Sequence, residues 1–367
     1  MNDQLLYQIA LTSIPNIGNV SAKKLIAYCG SAQQVFEEKK ATLEKVPGIG
    51  SVYSDSINKN KTEALQTAEQ ELKFIEKNEV TPLFFIDEKY PRRLVHCEDG
   101  PLLLYSKGNV DFNSEKAISI VGTRRATNYG KDFCEQIIKD LKPHNPLIIS
   151  GLAYGIDVCA HKAAVKNRLA TVGVLAHGLD RIYPSQHTTI AKEMFECGGL
   201  STEFKSGTNP DRENFPKRNR IVAGLSDLTI VVESSKKGGS LITAELANNY
   251  NRDVFALPGK LSDSQSEGCN WLIKTNKAAL IQSAKDIEYI MGWKAEKTDK
   301  PKQTALFQIL TIEQKIIIEV LTKNEVVAID EIALQTKLPM SKATTLLLEL
   351  EFSGIVKSLP GKLYKLI

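Results

Sequence analysis

The chain has 367 residues, 42% hydrophobic and 25% charged, a composition that excludes disorder as its main state and gives room for two or three domains. The net charge of +4 is too small to announce a nucleic-acid binder, so any anion site has to be a local cluster. No apolar run nears the roughly 20 residues of a membrane span, Met1-Asn2-Asp3-Gln4 lacks the start of a signal peptide, and the six cysteines are scattered without a Cys-x-x-Cys pair or clustered histidine. A cytoplasmic protein with reduced thiols, no metal and no cofactor is expected.

In chain order, residues 1–78 read as a helical domain. It contains an internal echo, Ile14-Pro15-Asn16-Ile17-Gly18 and Val46-Pro47-Gly48-Ile49-Gly50, each followed by a helix-like stretch. Both segments resemble the turn of a helix-hairpin-helix unit, where glycine lets backbone N–H groups at a helix start approach a DNA phosphate. The other reading is a pair of tight helix–helix turns. It is favoured by the charge balance, since residues 1–77 carry nine lysines against nine acids.

Residues 79–293 alternate apolar strands with amphipathic stretches. The strands are Ala117–Val121, Leu147–Ile149, Ala170–Leu175, Gly199–Thr202, Leu228–Val232 and Val254–Ala256. Between them lie helices expected at Lys131–Leu141, Val158–Lys166, Thr188–Glu196 and Thr243–Asn251. This repetition predicts an α/β fold, a Rossmann-like doubly wound parallel sheet covered on both faces. In such a sheet the ligand sits outside the carboxyl ends of the strands, which directs attention to the loops that follow them.

The first strand runs into Gly122-Thr123-Arg124-Arg125, a glycine and a hydroxyl with two guanidinium groups, suited to a phosphate. The second delivers Ser150-Gly151 and the turn to Asp157; it is not a dinucleotide fingerprint, and Asp157 with His161 reads as helix-start hydrogen bonding rather than catalysis. After the fourth comes Arg212, then Phe215-Pro216-Lys217-Arg218-Asn219-Arg220. An aromatic among cations equips a chain to grip a single strand by stacking bases and meeting phosphates, and a Phe buried at a helix start is the plainer alternative. The fifth ends in Lys237-Gly238-Gly239-Ser240, a third anion-cradle arrangement at a helix start.

Residues 294–305 are polar and aperiodic, as a linker reads, and 306–367 form three short helices closed by a hairpin, a winged-helix pattern. Its third helix, Ser341 to Ser353, offers one Lys and no Arg, Asn or Gln for base edges, so protein contact or weak phosphate contact is expected there.

These residues resemble the DNA-processing protein A (DprA, or Smf) family over Tyr90 to Ile281. The shared motifs include Tyr90-Pro91, Ser119-Ile120-Val121-Gly122-Thr123-Arg124, Ser150 to Asp157, Gly178-Leu179-Asp180, Phe215 to Ile221, Gly239 to Ala244 and Leu257-Pro258-Gly259. The resemblance implies an N-terminal domain similar to sterile-alpha-motif or helix-hairpin-helix units and a C-terminal winged helix. It implies a single-stranded-DNA-binding protein of natural transformation, not an enzyme, that forms a homodimer, protects incoming DNA and loads RecA recombinase onto it. Carried over, the strand-end Arg falls on Arg124, the stacking Phe on Phe215, the preceding basic residue on Arg212, the following pair on Arg218 and Asn219, and the glycine loop on Lys237 to Ser240. The fold is also similar to lysine-decarboxylase-like phosphoribohydrolases. In that alternative Gly238, Gly239 and Glu245 match the spacing of a catalytic loop, although Lys237, Leu241 and Ile242 replace other residues of its motif.

Overall fold

The structure is a computed structural model that describes residues 3–294, 310–324, 326–353, 355–359 and 362–366. The chain divides into two units, Met1–Glu296 and Lys297–Ile367. The linker expected at 294–305 lies outside the described residues apart from Lys294. Among the described residues no helix is long and apolar enough to cross a membrane.

The first unit opens with helices Asp3–Thr12, Asn19–Cys29, Ala32–Glu37, Lys40–Leu43 and Ser51–Lys77. The two echoed turns each lead into a helix, through Gly18 and Gly50. Their apolar side chains, Ile9, Leu25, Val35 and Ile57 among them, share one buried cluster with Leu102, Leu103 and Tyr105 of the following region. The boundary expected near residue 78 is therefore a change of secondary structure, while packing continues across it.

Nine strands form one sheet: β1 (Thr81–Phe84), β2 (Leu103–Gly108), β3 (Ala117–Val121), β4 (Leu147–Ser150), β5 (Thr171–Val174), β6 (Gly199–Thr202), β7 (Leu228–Val231), β8 (Asp253–Ala256) and β9 (Ala279–Leu280). Their spatial order is β1-β2-β6-β5-β4-β3-β7-β8-β9. Strands β6 to β9 of that row run parallel, and β1 and β2 add an antiparallel margin that the apolar alternation had not disclosed. Strand residues alternate between two cores. Ala117 and Val121 of β3 and Leu147 and Ile149 of β4 face helices Asn214–Gly224 and Gly239–Asn249, whereas Ile118, Ile120 and Ile148 face helices Asn128–Asp140 and Ile156–Lys166. Apolar residues on both faces explain why these strands read as unbroken hydrophobic runs.

After β3 the chain builds outward through β4, β5 and β6, then returns to place β7 on the other side of β3. The switch point lies between β3 and β7. Helices that leave neighbouring strands in opposite directions open a crevice there, at the carboxyl ends.

The second unit has helices Ile312–Lys323, Ile329–Thr336 and Met340–Phe352, with strands β10 (Val327–Ala328), β11 (Val356–Leu359) and β12 (Leu363–Leu366) in antiparallel order β10-β12-β11. Thr311 and Gln314 cap the first helix reciprocally, and Ile317, Ile332, Leu347 and Val356 form its core. This is the winged-helix arrangement, with a short third strand added.

Candidate nucleic-acid interface

The crevice at the switch point is a cleft of about 710 Å³. Its walls come from the loop after β3 (Gly122, Thr123, Arg124), the loop after β7 (Ser235, Gly238, Gly239, Ser240) and the start of helix Asn214–Gly224 (Phe215, Arg218, Asn219), with Arg212 just before it. Two of these loops follow β3 and β7, the strands on either side of the switch; the third wall comes from the crossover that leaves β6, three strands from β3, and returns to β7 through helix Asn214–Gly224.

The loop after β3 is held rigid from behind. Glu233, buried at the end of β7, accepts from the Thr127 N–H at 2.9 Å and from the Thr127 hydroxyl at 2.5 Å, while its carbonyl accepts from the Thr123 N–H at 2.7 Å. Thr127 in turn caps helix Asn128–Asp140. Gly155, at φ +78°, brings the next loop against the Thr123 carbonyl, where a Cβ would collide. Arg124 is left exposed with its guanidinium 5.1 Å from the centre of the Phe215 ring. Neither Arg124 nor Arg212 has an ion-pair partner among the described residues.

Phe215 is half-buried and belongs to none of the apolar clusters among the described residues, which sets aside the buried-core alternative for it. Its ring lies between Arg124, Arg218 at 5.9 Å and Tyr183 at 6.4 Å. On the opposite wall, the helix expected to start at Thr243 begins at Gly239, capped by Gly238, so Gly239 and Ser240 present the first N–H groups of a helix, which have no intrahelical acceptor. Ring, cations and helix start together can hold a stacked planar group beside an anion.

Several expected contacts are corrected. Arg218 is 4% exposed, and its Nη1 donates to the carbonyls of Gly151 at 2.5 Å and Val174 at 2.7 Å. With Nη1 on two strand-end carbonyls and Nε on Asn219, Arg218 is fixed as part of the cleft wall beside the Phe215 ring, in place of the free, exposed phosphate contact expected. Burial pulls its pKa down from the usual value, and Asp157 acts the other way. Gly151 is the counterpart: a Cβ there would collide with that guanidinium, and Gly151 faces a small side pocket rather than the main cleft. Ser150 is fully buried with its hydroxyl on the Ile120 carbonyl, and the Thr123 hydroxyl is donated to Gln265. Arg125, Lys217 and Lys237 are exposed but lie off the cleft walls, with Lys217 paired to Glu213 at 3.8 Å. Asp157 and His161 do not bond each other. Asp157 accepts from the Gly151 and Ala153 N–H groups, and its carboxyl is raised by burial, against Arg218; His161 pairs with the Thr171 hydroxyl at 2.7 Å. Glu245, the residue of the hydrolase alternative, is exposed, paired with Lys277 at 2.8 Å and absent from the cleft walls.

Tyr183 was not singled out for contact, yet its ring is 46% exposed and lines the cleft. The strand-end rule points to it, because it lies in the loop after β5, one of the strand-end loops to which the sequence assigned no contact. In the second unit Lys342, the lone lysine of the third helix, is paired with Glu313, so its outward face is set by Leu348 and Phe352.

Fold and cleft thus define a doubly wound α/β protein with a cationic, ring-lined groove at its switch point, followed by a winged helix. Residues 81–291 match the family described as DNA recombination-mediator protein A, and residues 300–362 match the DprA winged helix domain. Protein Smf of Synechocystis is 30% identical, over 99% of this chain and 99% of its own. The DNA processing protein DprA of Bacillus subtilis is 41% identical over 54% of this chain and 67% of its own. The solved structure of DprA from Streptococcus pneumoniae superposes with a TM-score of 0.64 at 30% identity, over 77% of this chain and 97% of that one. DNA processing protein A from Helicobacter pylori, whose structure is described for its unique single-stranded DNA binding mode, gives 0.53 at 28% identity, over 58% and 95%. The chain belongs to the DprA/Smf family of DNA-processing proteins.

Proposed function

We propose that the protein binds single-stranded DNA in the switch-point cleft, with bases against Phe215 and phosphates at Arg124, Arg212 and the Gly239-Ser240 helix start. The observation that carries this reading is the placement of two unpaired guanidinium groups and an accessible ring in one cleft. Stacking on a ring tolerates any base, phosphates carry no sequence, and the Oδ1 of Asn219, the amide on the walls, is taken by Arg218 Nε at 3.1 Å, so binding is sequence-tolerant. The Helicobacter relative's described binding mode supports the same ligand class.

Family membership supports the next steps: a cytoplasmic homodimer that protects DNA entering the cell in natural transformation and loads RecA recombinase onto it. A dimer sets two clefts along one strand, and tethering raises the effective concentration for the second contact. Affinity for single-stranded and duplex DNA of equal length, at fixed salt, tests the reading. Preference for the single strand is expected; equal or tighter binding of duplex overturns it. Sedimentation of the free protein tests the dimer, and strand-exchange assays with RecA test the loading step.

A further inference from the structure

A second groove of about 610 Å³ runs beside the cleft, between helices Asn128–Asp140 and Ile156–Lys166. Arg124 lines both spaces, and Tyr154 lines the groove and the side pocket beneath Phe215. The groove therefore adjoins the cleft at Arg124. Four cations border it, Arg124, Arg125, Lys131 and Lys162, against one acid, Glu135. None of the four has an ion-pair partner among the described residues. The Cys159 thiol on the groove lining is pulled below its usual pKa by the neighbouring Cys134 thiol first, against burial and Glu135, with Lys131 and Lys162 adding to the lowering.

Tyr154 stands at the junction. Its ring is 42% exposed and held in place: the hydroxyl donates to Gln186 at 2.8 Å, and the ring meets His187 edge-on at 5.0 Å. A fixed aromatic beside unpaired cations repeats the chemistry of Phe215 with Arg124 and Arg212. Unpaired like charges gathered in a groove repel one another unless an anion is supplied, and a strand leaving the cleft past Arg124 carries one phosphate per nucleotide.

Resting on the proposed cleft reading, the geometry points to this groove as a second single-stranded-DNA subsite, a track along which the strand continues out of the cleft. Tyr154 stacks a base at the turn, and Arg125, Lys131 and Lys162 hold the phosphates beyond it. The site enlarges the footprint of one subunit without any contribution from a second.

The test uses the full chain and the double variant Lys131→Ala/Lys162→Ala. Both side chains are exposed and unpaired, so the fold is kept, which thermal unfolding checks. Affinities are measured by anisotropy for an oligo-dT of about 6 nucleotides, which occupies the cleft, and one of about 20, within the range of single-strand site sizes. For the short oligonucleotide the variant is expected to bind within about twofold of the unaltered protein; for the long one it should lose about tenfold and show a log–log salt slope shallower by about 1.4, two contacts at ~0.7 each. Tyr154→Ala should weaken the long oligonucleotide with the slope kept. Unchanged affinity and slope for the long oligonucleotide would overturn the track while leaving the cleft in place, and would assign the cations to an acidic protein surface instead. Failure of the unaltered protein to bind either length would overturn both.

Discussion

Two regions of the first unit use the same residue types to opposite ends. Along the seam between the N-terminal helices and the sheet, Arg220 and the buried acids have bonding partners: Arg220 pairs with Glu203 and the Asp99 carbonyl, Asn19 donates to Glu203, and buried Glu71 accepts from the N–H and hydroxyl of Ser206. Helix Asn214–Gly224 carries Arg220 toward that seam, and at its start Arg124 and Arg212 line the cleft without an ion-pair partner among the described residues. Desolvated charges need partners, so a matched seam is a fastening; a cation held open beside a ring is a site waiting for an anion. Four basic residues near Phe215 look equivalent in sequence, yet Arg212 faces the cleft, Lys217 faces solvent, Arg218 builds the wall and Arg220 joins the seam.

The largest expected effect falls on the wall. Arg218→Ala removes the donor to two buried strand-end carbonyls and leaves both unsatisfied, at a cost of about 1–3 kcal/mol of stability for each. Chemical denaturation should show the loss, and a folded, fully stable variant with weakened DNA binding would return Arg218 to the ligand. Phe215→Ala should leave stability nearly unchanged and cost about 1–3 kcal/mol of single-strand affinity with the salt slope kept. Unfolding of that variant would mean the ring is structural after all.

An effect confined to acid concerns pH. His161 is fully buried, and burial first, with His187 and Arg218 adding to it, lowers its pKa from 6.5 to about 3. The unfolded chain therefore takes up a proton below pH 6.5 that the native state refuses. Stability from this group is complete above 6.5 and is lost as pH falls toward 3, with a limiting slope of about 1.4 kcal/mol per pH unit. His161→Gln should flatten that part of the stability profile; an identical profile would show that the imidazole is protonated in the folded protein.

The doubly wound sheet was legible because strands buried on both faces write themselves as apolar runs, and the strand-end rule then pointed to three walls of the cleft from sequence. What sequence could not resolve was direction. Nothing in Phe215-Pro216-Lys217-Arg218-Asn219-Arg220 says which side chain turns inward, since that depends on helix phase against β4 and β5. Ser150 and Gly151 were expected as ligand groups, yet the Ser150 hydroxyl donates to the Ile120 carbonyl and Gly151 leaves room for the Arg218 guanidinium. The strands β1 and β2 escaped because Pro82 and the loop after Phe84 break the alternation, and their pairing is set by partners 19 to 25 positions away.

The comparison between cleft and seam is tested most directly by the salt dependence of oligo-dT affinity in Arg124→Ala set beside Arg220→Ala. The expected result is a slope shallower by about 0.7 for Arg124→Ala with stability within ~0.5 kcal/mol of the unaltered protein, and an unchanged slope with reduced stability for Arg220→Ala. A shallower slope for Arg220→Ala, or none for Arg124→Ala, would contradict the assignment of the open cations to DNA and of the matched ones to the fold.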